Sequence, residues 1–209
     1  MIKKDSEALA AYPKDAHWYN KLHLSRELGY RCGAHKIPRS GRWIVRPITN
    51  LEGMGRHAVI DYFKEGTPIE PGMFYCEVFE GRHITIDYRR EYGRWVQHHT
   101  YQGFNTPEDL IHFSRWLKID YRYEIPLFLR SVEANHINIE VKGDKVIEVH
   151  LRPNPDPVMY DDFWPIWSDD QKPPFDHYIR IPDQDDETEM GRLGFFVPPT
   201  LIPQTITKK

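Results

Sequence analysis

Glu140 and Glu148 each lie in a stretch that alternates aliphatic and polar side chains. Ile137, Ile139 and Val141 alternate with Asn138, Glu140 and Lys142; Val146, Glu148, His150 and Arg152 alternate with Ile147, Val149 and Leu151. A period of two marks a half-buried strand, and the intervening Gly143-Asp144 marks a turn. A three-residue loop over 143–145 sets Glu140 opposite Glu148 and Asn138 opposite His150. A two-residue loop puts Glu140 opposite Ile147 and mixes the faces, so the first register is expected. Facing carboxylates repel across a ladder. A divalent cation between them reverses that sign, since Mg²⁺ is commonly held by one or two carboxylates with phosphates completing the shell. A solvated hairpin, with Glu140 near Lys142 and Glu148 near Arg152, meets the same spacing.

Two further segments carry chemistry. Trp43-Ile44-Val45 reads as a strand that runs into Arg46 and Pro47, followed by a loop containing Gly53, Met54 and Gly55. Glycines let backbone N–H groups approach phosphate oxygens, and an arginine can fork onto them; an ordinary turn is the plain alternative. Neither a Walker-type phosphate loop nor a Gly-x-Gly-x-x-Gly run is present. The segment 74–87 places Glu77, Val78, Phe79 and Glu80 before Gly81 and a second strand beginning near His83. His98 and His99 are adjacent, so a strand would point them to opposite sides, and no cysteine lies near enough to complete a zinc site. Arg89, Arg90 and Arg94 read as a solvated basic edge.

The elements that must position these groups are predicted as follows. A helix covers 15–28, capped by Asp15 and ended by Gly29. Strands cover 43–45, 58–63, 73–79, 83–88, 136–141 and 146–151. Thr106-Pro107-Glu108-Asp109 predicts a helix start, with Leu110, Phe113 and Leu117 at helical spacing, and another helix covers 126–134. The segment 154–209 carries nine prolines and an acidic run. It reads as an irregular strap packed by Trp164 and Trp167, with a loose end.

The 209 residues suffice for one domain or two small lobes sharing a cleft, and 40% hydrophobic residues suffice for a core. A net charge of −3 argues against a general electrostatic grip on nucleic acid. Two cysteines, Cys32 and Cys76, permit one disulfide but fit two buried thiols in a reducing compartment. Neither an apolar leader nor a membrane-length run is visible, so a soluble, cytoplasmic protein is expected.

In this order the three segments resemble the ATP-grasp superfamily. That pattern is a strand ending in a basic residue before proline, a glycine-rich flap, an acidic hinge, and an acidic hairpin that closes here as Glu148-Val149-His150-Leu151-Arg152-Pro153. The resemblance covers 43–153, and the whole chain resembles small ATP-grasp-like proteins of bacteriophages. It implies an α+β fold of two lobes, each with an antiparallel sheet and helices, around a nucleotide cleft: 1–82, 83–160, and a strap over 161–209. It implies that Arg46 replaces the usual phosphate-binding lysine, and that Gly53, Met54 and Gly55 form the flap. Glu77, Val78 and Phe79 would line the adenine edge, with His83 where a ribose-binding glutamate is usual. Glu140, Glu148 and His150 would bind metal, and Arg152 would face the transferred phosphate. The implied cofactors are ATP and Mg²⁺, with His150 in place of asparagine shifting preference toward Mn²⁺. The implied activity is ATP-dependent carboxylate–amine or carboxylate–thiol ligation through an acyl phosphate. A kinase, or a nucleotide-binding module without turnover, would use the same cleft. The separate substrate domain usual in the family is missing, so the tail or a protein partner would bind the carboxylate and amine.

Overall fold

The computed structural model describes residues 4–49, 51, 55–106, 109–183 and 191–199. Gly53 and Met54 therefore lie outside the described residues, as does the acidic run of the tail beyond Asp183. The chain forms two antiparallel sheets with few, short helices. The N-terminal part holds α1 (Asp5–Ala11), a 3₁₀ turn (Ala16–Tyr19) and α2 (Lys21–Glu27). A four-stranded sheet follows, built from β1 (Cys32–Gly33), β2 (Gly41–Pro47), β3 (Val59–Phe63) and β4 (Met73–Glu77) in the order β1-β4-β2-β3.

The remaining strands are β5 (His83–Glu91), β6 (Arg94–Phe104), β7 (Arg115–Lys118), β8 (His136–Lys142) and β9 (Lys145–His150). They are completed by β10 (Asp162–Ile166), β11 (Ile179–Pro182) and β12 (Gly194–Val197). Their order is β11-β12-β10-β7-β6-β5-β8-β9. Among the described residues no helix is long and apolar enough to cross a membrane.

Three helical expectations are corrected. The helix expected over 15–28 is broken at Asn20, which is extended (φ −80°, ψ 100°) and uses its side chain to accept the His23 N–H at 2.8 Å. An asparagine satisfies a helix start better than a helix interior, so the turn and α2 meet there. The helix expected from Thr106 does not form among the described residues. Asp109 accepts the N–H groups of Ile111 and His112, Ser114 N–H returns to the Phe104 carbonyl, and Leu117 belongs to β7. Phe113 and Trp116 are drawn onto Gly103, where an added Cβ would lie 2.7–2.8 Å from their rings. Of the helix expected over 126–134, only a 3₁₀ turn (Leu127–Leu129) exists. The segment read as an irregular strap supplies β10, β11 and β12.

The β8–β9 hairpin has the expected pairs by an unexpected route. Glu140 faces Glu148 and Asn138 faces His150. The loop, however, is only Gly143-Asp144, since Lys142 pairs with Lys145 and Val141 with Val146, and the register shifts between Glu140 and Val141. Ile147 is the extra residue of a β-bulge. A bulge turns two successive side chains to one face. Val146 accordingly enters the core with Val141 and Val149, while Ile147 joins Glu148 on the polar face. This reverses the expected sides of Val146 and Ile147.

The opposite face of β5, β8 and β9 carries the largest core: Ile84, Ile86, Ile137, Ile139, Val149 and Leu151 pack against Ala8 of α1, Trp18, Tyr19 and Leu24. The two sheets touch where the chain passes between them. Gly81 (φ +107°) lies against Gly143 (φ +67°), and a Cβ on Gly143 would come within 2.5 Å of the Glu80 carbonyl oxygen. Gly143 N–H donates to the Arg82 carbonyl at 2.8 Å. Only glycine fits both the backbone angle and the approach.

Candidate functional site

A cleft of about 710 Å³ separates the two sheets. Its walls are the polar face of β5, β8 and β9, the inner face of β2, the segment 77–79, and residues contributed by α1 and α2. Every described residue to which the resemblance gave a site role borders it: Arg46, Gly55, Glu77, Val78, Phe79, His83, Glu140, Glu148, His150 and Arg152.

The acid pair is the centre. One ligand atom from each of Glu140, Glu148 and His150 falls within 4.8 Å of the others. His150 Nε2 lies 3.6 Å from a Glu148 oxygen and 3.8 Å from a Glu140 oxygen. His83 Nε2 lies 3.1 Å from the second Glu140 oxygen, with its ring edge-on to Phe113 and Trp116. His83 thus belongs to the acid cluster. Burial alone would raise the Glu140 carboxyl, but the imidazoles of His150 and His83 hold it well below the usual range.

Two residues of the N-terminal helices complete the cluster, and neither was found from sequence. Lys21 Nζ lies 2.8 Å from Glu148 Oε1, with both side chains buried. Asp5 is more central still. Its carboxylate accepts from Tyr19 Oη (3.1 Å), His150 Nδ1 (3.0 Å) and Arg152 Nη2 (2.6 Å). Burial opposes the ionised Asp5, but His150 and then Arg152 outweigh it and depress its pKa strongly. The same contacts act on His150: burial would lower it, whereas Asp5 raises it to about 10. Asp5 also fixes the imidazole so that Nε2 points at the two glutamates, the arrangement by which a carboxylate orients a metal-binding histidine. Lys21 lies in a seven-residue helix too short for its periodicity to assign faces, and Asp5 sits in a charged terminus. No local signal marked either.

On the opposite wall Arg46 is 8% exposed. Its Nη2 donates to the Ile147 carbonyl at 3.3 Å and its guanidinium lies over Phe74, 5.2 Å from the ring centre. Among the described residues no carboxylate pairs with it, and its Nε has no hydrogen-bond partner. A buried guanidinium without an anion is costly. Glu77 is engaged: its carboxylate accepts from Arg31 Nε at 3.0 Å, Nη2 at 2.8 Å and the Arg31 backbone N–H at 2.9 Å. Phe79 packs on Tyr30 at 4.7 Å. Gly55 (φ +66°) approaches the other lobe, where a Cβ would meet the Leu110 carbonyl oxygen at 2.9 Å.

Beneath the acid cluster, Asp87 Oδ1 accepts from Asn138 Nδ2 (3.1 Å) and Asn154 N–H (2.9 Å). Burial nonetheless pushes its carboxyl up to about 6. A carboxyl raised on folding stabilises the native state below its unfolded value, and that contribution is lost as pH rises through the folded value. A rise from 3.8 to about 6 corresponds to about 3 kcal/mol. Urea unfolding of the wild-type protein and of Asp87→Asn between pH 4 and 6.5 is expected to show wild type losing about 2 kcal/mol of this relative to the variant. Parallel curves would place the proton elsewhere.

No known family profile and no curated protein matches the chain. Solved structures do show similarity. One is a protein of Archaeoglobus fulgidus assigned to the ATP-grasp superfamily (16% identity, TM-score 0.40, covering 66% of this chain and 46% of that one). Another is an L-amino acid ligase of Bacillus licheniformis (11%, TM-score 0.44, 66% and 41%). A third is N5-carboxyaminoimidazole synthetase of Staphylococcus aureus complexed with ADP (8%, TM-score 0.44, 66% and 45%). The chain spans less than half the length of each. Overlap this partial leaves function to be argued from the cleft.

Proposed function

We propose that the cleft binds ATP with a divalent cation and uses it for carboxylate–amine, or carboxylate–thiol, ligation through an acyl phosphate. The observation that carries this reading is Arg46, a buried guanidinium with no carboxylate partner among the described residues, facing a cleft whose far wall holds two facing carboxylates. A polyphosphate supplies the missing anion to the first and, through a cation, satisfies the second.

In this reading Arg46 binds phosphate oxygens, with Gly55 bordering the same cleft. Glu77 is committed to Arg31, so the hinge backbone of Val78 and the ring of Phe79 receive the base. Glu140, Glu148 and His150 fit a cation that displaces the His150 Nε2 proton on binding: two carboxylates and an imidazole whose Nδ1 is already held by Asp5. An imidazole among oxygens favours Mn²⁺ over Mg²⁺. When bound, the cation neutralises charge on the triphosphate. Arg152, oriented by Asp5, presents its guanidinium toward the transferred phosphoryl group. His83 orients Glu140. A protein partner binds the acceptor carboxylate and amine.

A second reading has its own support. Lys21 already neutralises Glu148 at 2.8 Å. A cleft that binds nucleotide without turnover, serving a structural or partner-binding role, follows if that pair persists with ligand bound. Both readings are tested by thermal shift with Mn-ATP and Mg-ATP. At about a hundredfold excess over Kd, binding contributes about 2.7 kcal/mol, or roughly 5–10 °C for a chain of this length. Glu148→Gln, which keeps an acceptor for Lys21, is expected to abolish the metal-dependent part of the shift. A full shift in that variant excludes Glu148 as a ligand, and no shift in wild type with either metal removes the nucleotide reading. ADP release with mixed carboxylates and amines separates ligase from silent module.

A further inference from the structure

The two cysteines of this chain occupy directly opposed positions on neighbouring strands. Cys32 of β1 pairs with Cys76 of β4, and Gly33 with Tyr75. One step along the same ladder, Glu77 N–H donates to the Arg31 carbonyl at 3.0 Å. Hydrogen-bonded and non-hydrogen-bonded pairs alternate along antiparallel strands. Cys32 and Cys76 therefore form a non-hydrogen-bonded pair, whose Cα atoms lie about 4.5 Å apart with side chains on one face. A disulfide spans Cα separations of about 4.4–6.8 Å. Both thiols are free and both belong to one apolar cluster with Leu22 and Phe74. Cys32 is half-exposed on the edge strand of its sheet; Cys76 is buried and borders the cleft.

The geometry points to a modification site: Cys32 and Cys76 form a reversible cross-strand disulfide when the protein meets a small-molecule disulfide. The Cys32 thiolate attacks one sulfur of the oxidant RS–SR, forming Cys32–S–SR and releasing RS⁻. The Cys76 thiolate then attacks the Cys32 sulfur, forming the Cys32–Cys76 bond and releasing the second RS⁻. The two thiol protons leave with the two RS⁻, so two protein thiols and one RS–SR become one protein disulfide and two RSH. Access dictates the order, because the oxidant reaches Cys32 and not Cys76. Burial raises the Cys32 thiol and pushes Cys76 up to about 11, which keeps both protonated and slow to react at neutral pH. A bridge with one sulfur on an accessible sheet edge is open to reductant, the property of a labile rather than a structural disulfide. Its position matters because β4 leads directly into residues 77–79 of the cleft. The bridge would tie that strand to β1 one residue from the Arg31–Glu77 contact.

The test is to incubate the purified full-length chain with oxidised glutathione at mildly alkaline pH, with hours allowed for exchange. Intact mass and maleimide labelling are then read after non-reducing denaturation. The expected result is a monomer lighter by two hydrogen atoms, labelling that falls from two thiols to none, a higher melting temperature, and full reversal by dithiothreitol. Cys76→Ser is expected to stop at a single glutathione adduct on Cys32. Wild type that keeps that adduct, keeps both thiols labelled, or forms disulfide-linked dimers overturns the proposal.

Discussion

Asp5→Ala lowers the melting temperature by ~10 °C, the largest stability change expected of any single substitution in the cleft. The Asp5 carboxylate is the counterion of two buried cations, Arg152 at 2.6 Å and His150 at 3.0 Å, and also accepts from Tyr19. Breaking a buried pair from one side leaves the other charge uncompensated, at a cost of about 3–5 kcal/mol; a chain this long loses roughly 2–4 °C per kcal/mol. Asp5→Asn separates electrostatics from packing, since it keeps the shape of the side chain and the seat of α1 while removing the charge. It is expected to lose nearly as much as the alanine variant. The sign with pH is also fixed. His150 is raised from 6.5 to about 10 on folding, so its contribution is complete below its unfolded value and disappears as pH climbs from about 6.5 to 10. Wild type is therefore expected to weaken across that range, and Asp5→Asn to show a flatter curve. An Asp5→Asn protein as stable as wild type, with an unchanged alkaline decline, contradicts this assignment.

Arg46→Met separates folding from binding. Among the described residues this buried guanidinium has one carbonyl at 3.3 Å and the face of Phe74 as its company. Methionine fills similar space without the charge, and replacing a buried ionic group by an apolar one is often neutral or stabilising. The variant's melting temperature without ligand is expected to equal or exceed that of wild type. Its affinity for ATP is expected to fall about 100-fold, because a charge-assisted contact to phosphate contributes about 2–3 kcal/mol. Calorimetric titration of both proteins with Mn-ATP reads the second quantity. A variant that unfolds early yet binds as tightly as wild type assigns Arg46 a structural role and removes the main support for the nucleotide reading.

The alternation of 136–151 was enough to mark both strands and to put Glu140 and Glu148 on the polar face, because strand periodicity is local; their pairing is reached through a two-residue loop and a bulge rather than the expected three-residue loop. Strands β2 to β5 were legible for the same reason. The bulge at Ile147 was not: whether a hairpin closes by a longer loop or by a short loop and an extra residue depends on what its two faces pack against. The helix misread after Thr106 shows the same limit, since spacing that suits a helix also suits a loop whose aromatics fill the space over Gly103. Prolines hid β10 to β12. Pro165 sits where β10 pairs with β12 but no longer with β7, and Pro182 ends an edge strand, so neither removes a needed ladder bond.

The sequence by itself determined the acid pair, the strand that carries Arg46 and the order of the cleft-forming segments. Tertiary structure alone decided that Lys21 meets Glu148 and that Asp5 meets His150 from 145 residues away. The physical reason is range. Period and turn chemistry act between neighbours in the chain, whereas a buried charge finds its partner only after distant segments have packed, and nothing near either residue encodes that meeting.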